Sequence, residues 1–341
     1  MHRILILDFG SQFTQLIARR IRELGVYAEI LPANAPMEEI KAHAGQGLVL
    51  SGGPHSVFDP GSPQANPAIL QLGVPVLGIC YGMQWLGHAL GGKVEPAKTR
   101  EYGFMPVSVT KKDSPLFAGW QNSEIRTWMS HGDEVRVLPE GFEESARSQS
   151  GSLAAMEDSD RKLFALQFHP EVTHTERGTE LFKNFISICQ AKAEWNLGSF
   201  ATQKMAEISA QVGPRAHAIC ALSGGVDSTV AATLVERAIP GRLHCLYIDS
   251  GLQRENEAEE VMANFHDSGL RVTKVDCRAE FLGNLAGEAD PEKKRKIIGK
   301  TFIDIFQREE KRLASEFSQV GMDWLVQGTL YPDVIESLPP P

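Results

Sequence analysis

At 341 residues the chain is long enough for about two domains with full-sized cores. Its formal net charge of −9 argues against a general nucleic-acid binder, which needs a basic face, and its five cysteines show no Cys-x-x-Cys spacing that would suggest a zinc site or a disulfide framework. No apolar run approaches the roughly 18 residues needed to span a membrane, and the start goes straight into the apolar Ile4-Leu5-Ile6-Leu7 with no room for a signal peptide, so a cytoplasmic location is expected.

Residues 3–7 read as a buried strand, and 14–24 carry apolar positions at helical spacing (Leu16, Ile17, Ile21, Leu24). A strand at 26–30, a short helix at 37–44 and strands at 47–50 and 75–79 follow. Strands alternating with helices predict a parallel, doubly wound α/β sheet with ligands at the carboxyl ends of its strands. Two of those ends are unusual. Ser51-Gly52-Gly53-Pro54 is either a tight turn or a means of aiming backbone N–H groups into the crevice. Gly78-Ile79-Cys80-Tyr81-Gly82-Met83-Gln84 turns sharply from strand to helix and has the pattern of a nucleophile elbow, with cysteine in place of serine. Small neighbours permit the bend and leave the sulfur exposed, and the positive end of the following helix favours a negative sulfur. Cys189, Cys220, Cys245 and Cys277 lie in apolar periodic segments and are expected to be buried and structural.

A cysteine nucleophile needs a base and a group to orient that base. After the elbow the pattern becomes β, at 105–109, 124–129, 152–156 and 163–168, the last leading into His169-Pro170-Glu171. Two residues apart on an extended segment, His169 and Glu171 point the same way, and Pro170 stiffens that geometry. Glu171 would hold the ring while His169 takes and returns the Cys80 proton. His131 is the rival base.

An amphipathic helix at 177–194 closes the first domain, and 195–199 is the only plausible short linker. A new α/β pattern begins at residue 200. A strand at 216–220 runs into Ser223-Gly224-Gly225-Val226-Asp227-Ser228-Thr229, followed by a helix at 230–237. Glycines, hydroxyls and a helix N-terminus make a phosphate cradle, and Asp227 adds an oxygen able to hold magnesium. No Gly-Lys-Ser/Thr follows, so it is not a P-loop. Strands at 243–248, 270–275 and 324–326 and helices at 255–266 and up to 317 complete the pattern. The basic run from Lys293 through Arg295 to Lys300 is either a solvated helix face or a lid that neutralises phosphate.

Asp8-Phe9-Gly10-Ser11-Gln12, Ser51-Gly52-Gly53-Pro54, the segment 78–84 and His169-Pro170-Glu171 resemble the motifs of class I (triad) glutamine amidotransferases. The resemblance implies that Cys80 attacks the side-chain amide of glutamine, releasing ammonia and leaving a glutamyl thioester that water hydrolyses. It implies an oxyanion hole from the N–H groups of Gly53 and Tyr81, and glutamine contacts from Gln84, Ser130, His131 and Asp133. Family position favours His169 over His131 as the base. The motif at 223–228 resembles the pyrophosphate loop of N-type ATP pyrophosphatases (adenine-nucleotide α-hydrolase-like), which split ATP between its α- and β-phosphates to adenylate a substrate. That implies ATP and Mg2+ at Ser223 to Thr229, adenosine near Asp249, a phosphate lid with Lys293, Arg295 and Lys300, and a site wall at 327–337.

The order of the parts resembles the GMP synthetase family, which converts xanthosine monophosphate, ATP and glutamine to GMP, AMP, pyrophosphate and glutamate. Asparagine synthetases use an N-terminal cysteine, whereas position 2 here is His2. Glutamine-dependent NAD synthetases use a nitrilase-like amidase, and sulfur-inserting tRNA enzymes lack a glutaminase. The expected organisation is an amidotransferase at 1–194, a linker at 195–199 and a pyrophosphatase at 200–341. Family members form homodimers through a further C-terminal domain. Because the sequence ends at Leu338 and three prolines, the chain is expected to be monomeric and to bind Mg-ATP while making little GMP. The rival reading is an ATP-binding fragment retaining at most glutaminase activity.

Overall fold

The structure is a computed structural model that describes residues 2–120, 124–266, 269–317 and 322–328. The chain divides into two compact units, Met1–Asn196 and Leu197–Pro341.

The first unit runs β1 (Arg3–Asp8), α1 (Thr14–Glu23), β2 (Tyr27–Pro32), α2 (Met37–His43), β3 (Gly47–Leu50), β4 (Val76–Ile79), α3 (Tyr81–Ala89), β5 (Lys93–Val109), β6 (Glu124–Val137), β7 (Glu143–Ser148), β8 (Leu153–Asp158), β9 (Leu163–Leu166) and α4 (Gly178–Ile188). They form a sheet of order β2-β1-β3-β4-β9-β8-β7-β5-β6. The pairs from β2 to β9 are parallel, and β8, β7, β5 and β6 extend the sheet in antiparallel fashion. Every residue of β3 and β4 is buried, as in a parallel sheet covered on both faces. Alternation along β1 sorts the core. Ile4 and Ile6 pack with Ile17 and Ile21 of α1 and Phe182 of α4, while Leu5 and Leu7 join Ile40 of α2 and Met83 and Leu86 of α3.

The doubly wound arrangement is the expected one, but the antiparallel extension is larger than its sequence pattern. β5 begins at Lys93 instead of 105, β6 continues to Val137, and β7 was not expected. α4 ends at Ile188, and Gln190 takes a φ of 52° that a helix cannot continue through. Residues 191–196 have no regular structure, and a helix starts at Leu197, inside the expected linker.

The second unit runs α5 (Leu197–Val212), β10 (His217–Ala221), α6 (Val226–Ala238), β11 (Leu243–Asp249), α7 (Glu257–His266), β12 (Val272–Asp276), α8 (Arg278–Leu285), α9 (Pro291–Glu316) and β13 (Met322–Val326). Its sheet, β12-β11-β10-β13, is parallel throughout. Ala218 and Cys220 pack under α6 and α7 through Ala232, Val235, Val261 and Phe265. Ile219, Leu246 and Ile248 pack on the other face against Phe281 of α8 and Ile305 and Phe306 of α9. The four cysteines outside the elbow are buried and unpaired. α6 starts at Val226, four residues before the expected 230, so half of the glycine-rich motif lies in its first turn. Among the described residues no helix is long and apolar enough to cross a membrane.

Candidate active site

Between β4 and α3 the backbone turns within one residue. Cys80 has φ 52° and ψ −106°, a left-handed value that costs a non-glycine residue about 1–3 kcal/mol. Its surroundings hold it there: the Cys80 N–H donates to the Leu166 carbonyl at 2.7 Å, and its own carbonyl accepts the N–H groups of Met83 and Gln84. Two glycines make the room. A Cβ on Gly78 would lie 2.7 Å from the Gly82 carbonyl oxygen, and one on Gly82 would lie 2.4 Å from that of Leu50. Both obstacles are backbone, with no flexible side chain to yield. Gly82→Ala is therefore expected to destabilise the first unit by about 3 kcal/mol, read as a lower urea midpoint; an unchanged midpoint would show that α3 moves aside without cost.

The sulfur is less exposed than the sequence suggested. Cys80 is 4% accessible, because Ser130 on β6 and the bend after β9 close over it. Its Sγ donates to the Ser130 carbonyl at 3.5 Å.

β9 stops at Leu166, and the segment carrying His169 and Glu171 is bent, not extended as expected. The two side chains meet all the same: His169 Nδ1 lies 2.7 Å from Glu171 Oε1, with both residues buried. Three contacts fix the bend. The His169 N–H donates to the Trp128 carbonyl at 3.0 Å, Thr175 Oγ1 donates to the His169 carbonyl at 2.6 Å, and Arg20 Nε donates to the Glu171 carbonyl at 3.0 Å. Burial alone would favour a neutral imidazole. The charges of Glu171 and Cys80 and hydrogen bonds to both outweigh it, holding the His169 pKa well above the ordinary histidine value. A Cβ on Gly52 would come within 3.1 Å of His169 Cε1 and 3.6 Å of Cys80 Cβ, so the glycine leaves the space beside both groups clear.

Beside the elbow, a cavity of about 360 Å³ brings together Gly53, Cys80, Gln84, Ser130, His131 and Asp133, all singled out from the sequence. Tyr81 opens α3, so its N–H has no acceptor within the helix. Gly53 is confined to glycine, since a Cβ would lie 2.6 Å from the Phe9 carbonyl oxygen. Gln84 Nε2 donates to the Asp133 carbonyl at 2.9 Å. His131 is not placed as a rival base. Its Nδ1 is 2.9 Å from that same carbonyl and its Nε2 is 2.9 Å from Glu101 Oε2, with both side chains buried.

In the second unit Gly224 takes φ +80°, and a Cβ there would also strike Val261 at 2.7 Å. Gly225 stands at the N-cap of α6. Ser223 Oγ accepts the Gly225 N–H at 3.2 Å and lies 3.1 Å from Ser228 Oγ, while Ser228 and Thr229 donate to the Gly225 carbonyl at 3.1 and 2.8 Å. The loop is thus pre-shaped around the positive end of a helix, with Val226 and Asp227 exposed. Ser223 and Ser228 line a cavity of about 270 Å³ with Phe302 and Phe306 of α9 and with Gln327 and Gly328. Asp249 is engaged within the protein: Lys274 Nζ lies 3.0 Å from its Oδ2, and its Oδ1 accepts the Gly251 N–H at 3.1 Å. Lys293, Arg295 and Lys300 fall in the first turns of α9, where Arg295 pairs with Glu292 and Lys300 with Asp304 on the same helix. Most of the expected wall at 327–337 lies outside the described residues.

Residues 5–189 match the family model for glutamine amidotransferase class-I. The chain belongs to the class-I glutamine amidotransferase family. Residues 200–297 match the NAD synthase family model. Over 98% of its length the chain is 50% identical to the GMP synthase [glutamine-hydrolyzing] of Carboxydothermus hydrogenoformans and to that of Aquifex aeolicus, and 47% identical to that of Haemophilus influenzae, covering 64% of each. The chain thus spans about two thirds of the length of the curated relatives it matches, 64%.

In this amidotransferase unit, sequence reasoning missed Glu101, Thr175 and Arg20. Glu101 Oε1 accepts from Ser148 Oγ at 2.8 Å and from Ser150 Oγ. Burial would raise its pKa, but hydrogen bonds from His131, Ser150 and Ser148 outweigh it and keep the carboxyl below its usual value. Its signal was register: Glu101 stands opposite His131 in the β5–β6 pair, which becomes visible only once β5 is seen to start at Lys93.

Proposed function

We propose that the chain carries out the glutamine-hydrolysing and ATP-activating chemistry of GMP synthesis. Cys80 is the nucleophile, His169 the base and acid, and Glu171 the group that orients the ring. Thiolate attack on the glutamine amide carbon expels ammonia, with the proton supplied by His169, and water then cleaves the thioester to glutamate. The developing oxyanion is met by the N–H groups of Gly53 and Tyr81. The observation that carries this reading is the elbow cysteine at φ 52° beside a buried His169–Glu171 pair at 2.7 Å.

In the second unit, Ser223 to Thr229 hold the pyrophosphate portion of ATP at the N-terminus of α6; the xanthine oxygen of xanthosine monophosphate attacks the α-phosphorus, pyrophosphate leaves, and ammonia then displaces the adenylylated oxygen as AMP. Support comes from the pre-shaped loop and from relatives named GMP synthase. Magnesium suits the donors present: the exposed Asp227 carboxylate is a hard oxygen ligand beside the cradle, and Mg2+ commonly takes one or two carboxylates together with substrate phosphates. When bound it would neutralise phosphate charge.

The test is glutamate release from glutamine, together with AMP and pyrophosphate release from ATP and xanthosine monophosphate supplied with ammonium. Asp227→Ala is expected to weaken Mg-ATP binding at least about tenfold in calorimetry while Cys80 still reacts with a glutamine-mimicking alkylator. Equal ATP affinity in variant and parent would remove Asp227 from the site, and no glutamate release by the parent would overturn the glutaminase assignment.

A further inference from the structure

Trp128 of β6 turns both of its backbone groups to the segment that carries His169. Two residues facing each other as a hydrogen-bonded pair in an antiparallel ladder exchange two N–H···O bonds. Trp128 and His169 make the first directly, from the His169 N–H to the Trp128 carbonyl at 3.0 Å. The second is interrupted. The Thr175 hydroxyl stands in it, accepting the Trp128 N–H at 3.0 Å and donating to the His169 carbonyl at 2.6 Å. Pro170 has no N–H with which the chain could pair further along β6. Thr175 is 5% exposed, and its backbone is held on its own account. Its N–H donates to the Val172 carbonyl at 3.2 Å, and the N–H of Glu176 donates to the Arg126 carbonyl at 2.9 Å. These bonds, and not those of the hydroxyl, set where the Thr175 oxygen sits.

A hydroxyl accepts one hydrogen bond while donating another through a single oxygen. We propose that Thr175 is a positioning residue for the base: its hydroxyl spaces the His169 carbonyl from β6, and that spacing turns the imidazole toward Cys80 and Glu171. Without the hydroxyl, two buried backbone groups lose their partner, and each unmade bond is costly. They recover by closing the ladder directly, which draws the His169 peptide toward Trp128. Glu171 does not follow, because Arg20 Nε donates to its carbonyl at 3.0 Å. The ring then moves away from both of its partners. A misplacement of about 1 Å costs on the order of 10²-fold in rate. Gln84 and Asp133 lie outside the 169–176 segment, so binding of glutamine is spared. The assignment rests on the reading of this unit as a glutaminase.

The test uses the full chain and two variants: Thr175→Val, which keeps the shape and removes the hydroxyl, and Thr175→Ser, which keeps the hydroxyl. In Thr175→Val, kcat for glutamate release is expected to fall about 10²-fold, with KM within about threefold of the parent. Thr175→Ser should recover kcat to within about threefold. A second measurement needs no turnover. His169 is titrated by NMR of the histidine-labelled chain, its signal assigned by its loss in His169→Gln. The parent and Thr175→Ser should titrate well above the ordinary histidine value, because Glu171 and Cys80 face the ring. Thr175→Val should titrate lower, since both contacts lengthen. Parental kcat in Thr175→Val, or a fall in kcat with the titration of His169 unmoved, overturns the assignment and leaves the glutaminase reading standing. An equal loss in Thr175→Ser does the same. A parent that releases no glutamate, while His169 shifts in Thr175→Val alone, supports the spacing and sinks the glutaminase reading. If Thr175→Val is recovered unfolded, Thr175→Cys, whose thiol is a weaker donor and acceptor, takes its place with the same split expected.

Discussion

Replacing Cys80 by alanine is expected to lower glutamate release from glutamine by at least about 10⁴-fold, because the proposed acyl intermediate forms on its sulfur. Ser130 contributes only its carbonyl to the sulfur, and His131 has both ring nitrogens against acceptors. The substitution removes one buried sulfur and leaves the glycines that shape the elbow in place, so the unit should remain folded. The loop proposed to hold ATP, Ser223 to Thr229, lies in the other unit. Calorimetric titration of the variant with Mg-ATP should therefore match the parent. Appreciable glutaminase activity in Cys80→Ala would remove the elbow from the chemistry altogether.

Glu171→Gln is expected to cost about 10³-fold in kcat at neutral pH, since it keeps the shape beside the His169 ring while deleting the charge that supports its protonated form. In the parent the His169 pKa stands well above the ordinary value of about 6.5 because Glu171 and Cys80 outweigh burial. The basic limb of the activity profile, where the imidazolium loses its proton, should accordingly lie well above that pH and move to lower pH in the variant. Stability follows the same group. A pKa raised on folding adds stability that is complete below the unfolded value of about 6.5 and is lost as pH rises through the folded value. Urea midpoints of the parent should show that loss on the alkaline side, and those of Glu171→Gln should show less of it. Coincident pH profiles for the two proteins would mean that Glu171 does not set the charge of His169.

The parallel core was legible because a strand buried on both faces reads as an unbroken apolar run, as in Ile4 to Leu7 and Val76 to Ile79. The elbow was legible because glycine at 78 and 82 leaves little else for a cysteine between them to do. The antiparallel extension was not. The first part of β5, Lys93 to Arg100, contains Pro96 and four charged residues, and its pairing depends on a bulge that no local pattern encodes. For that reason the sequence supplied His131 and Asp133 but not Glu101 and Arg100, which complete their surroundings from the neighbouring strand. The same limit applied to α6: its start at Val226 is set by Gly224 at positive φ and by the Ser223 and Thr229 hydroxyls, not by apolar spacing.

Cys80 and His169 are neighbours in space because β4 and β9 pair in parallel register, Ile79 beside Leu166, although four strands separate them along the chain. During synthesis Cys80 therefore emerges well before His169. A chain made only as far as β8 has Cys80 without His169 and Glu171, and without the Leu166 carbonyl that accepts the Cys80 N–H. The pair at 79 and 166 thus makes the completion of the elbow's surroundings one of the last events in forming the sheet.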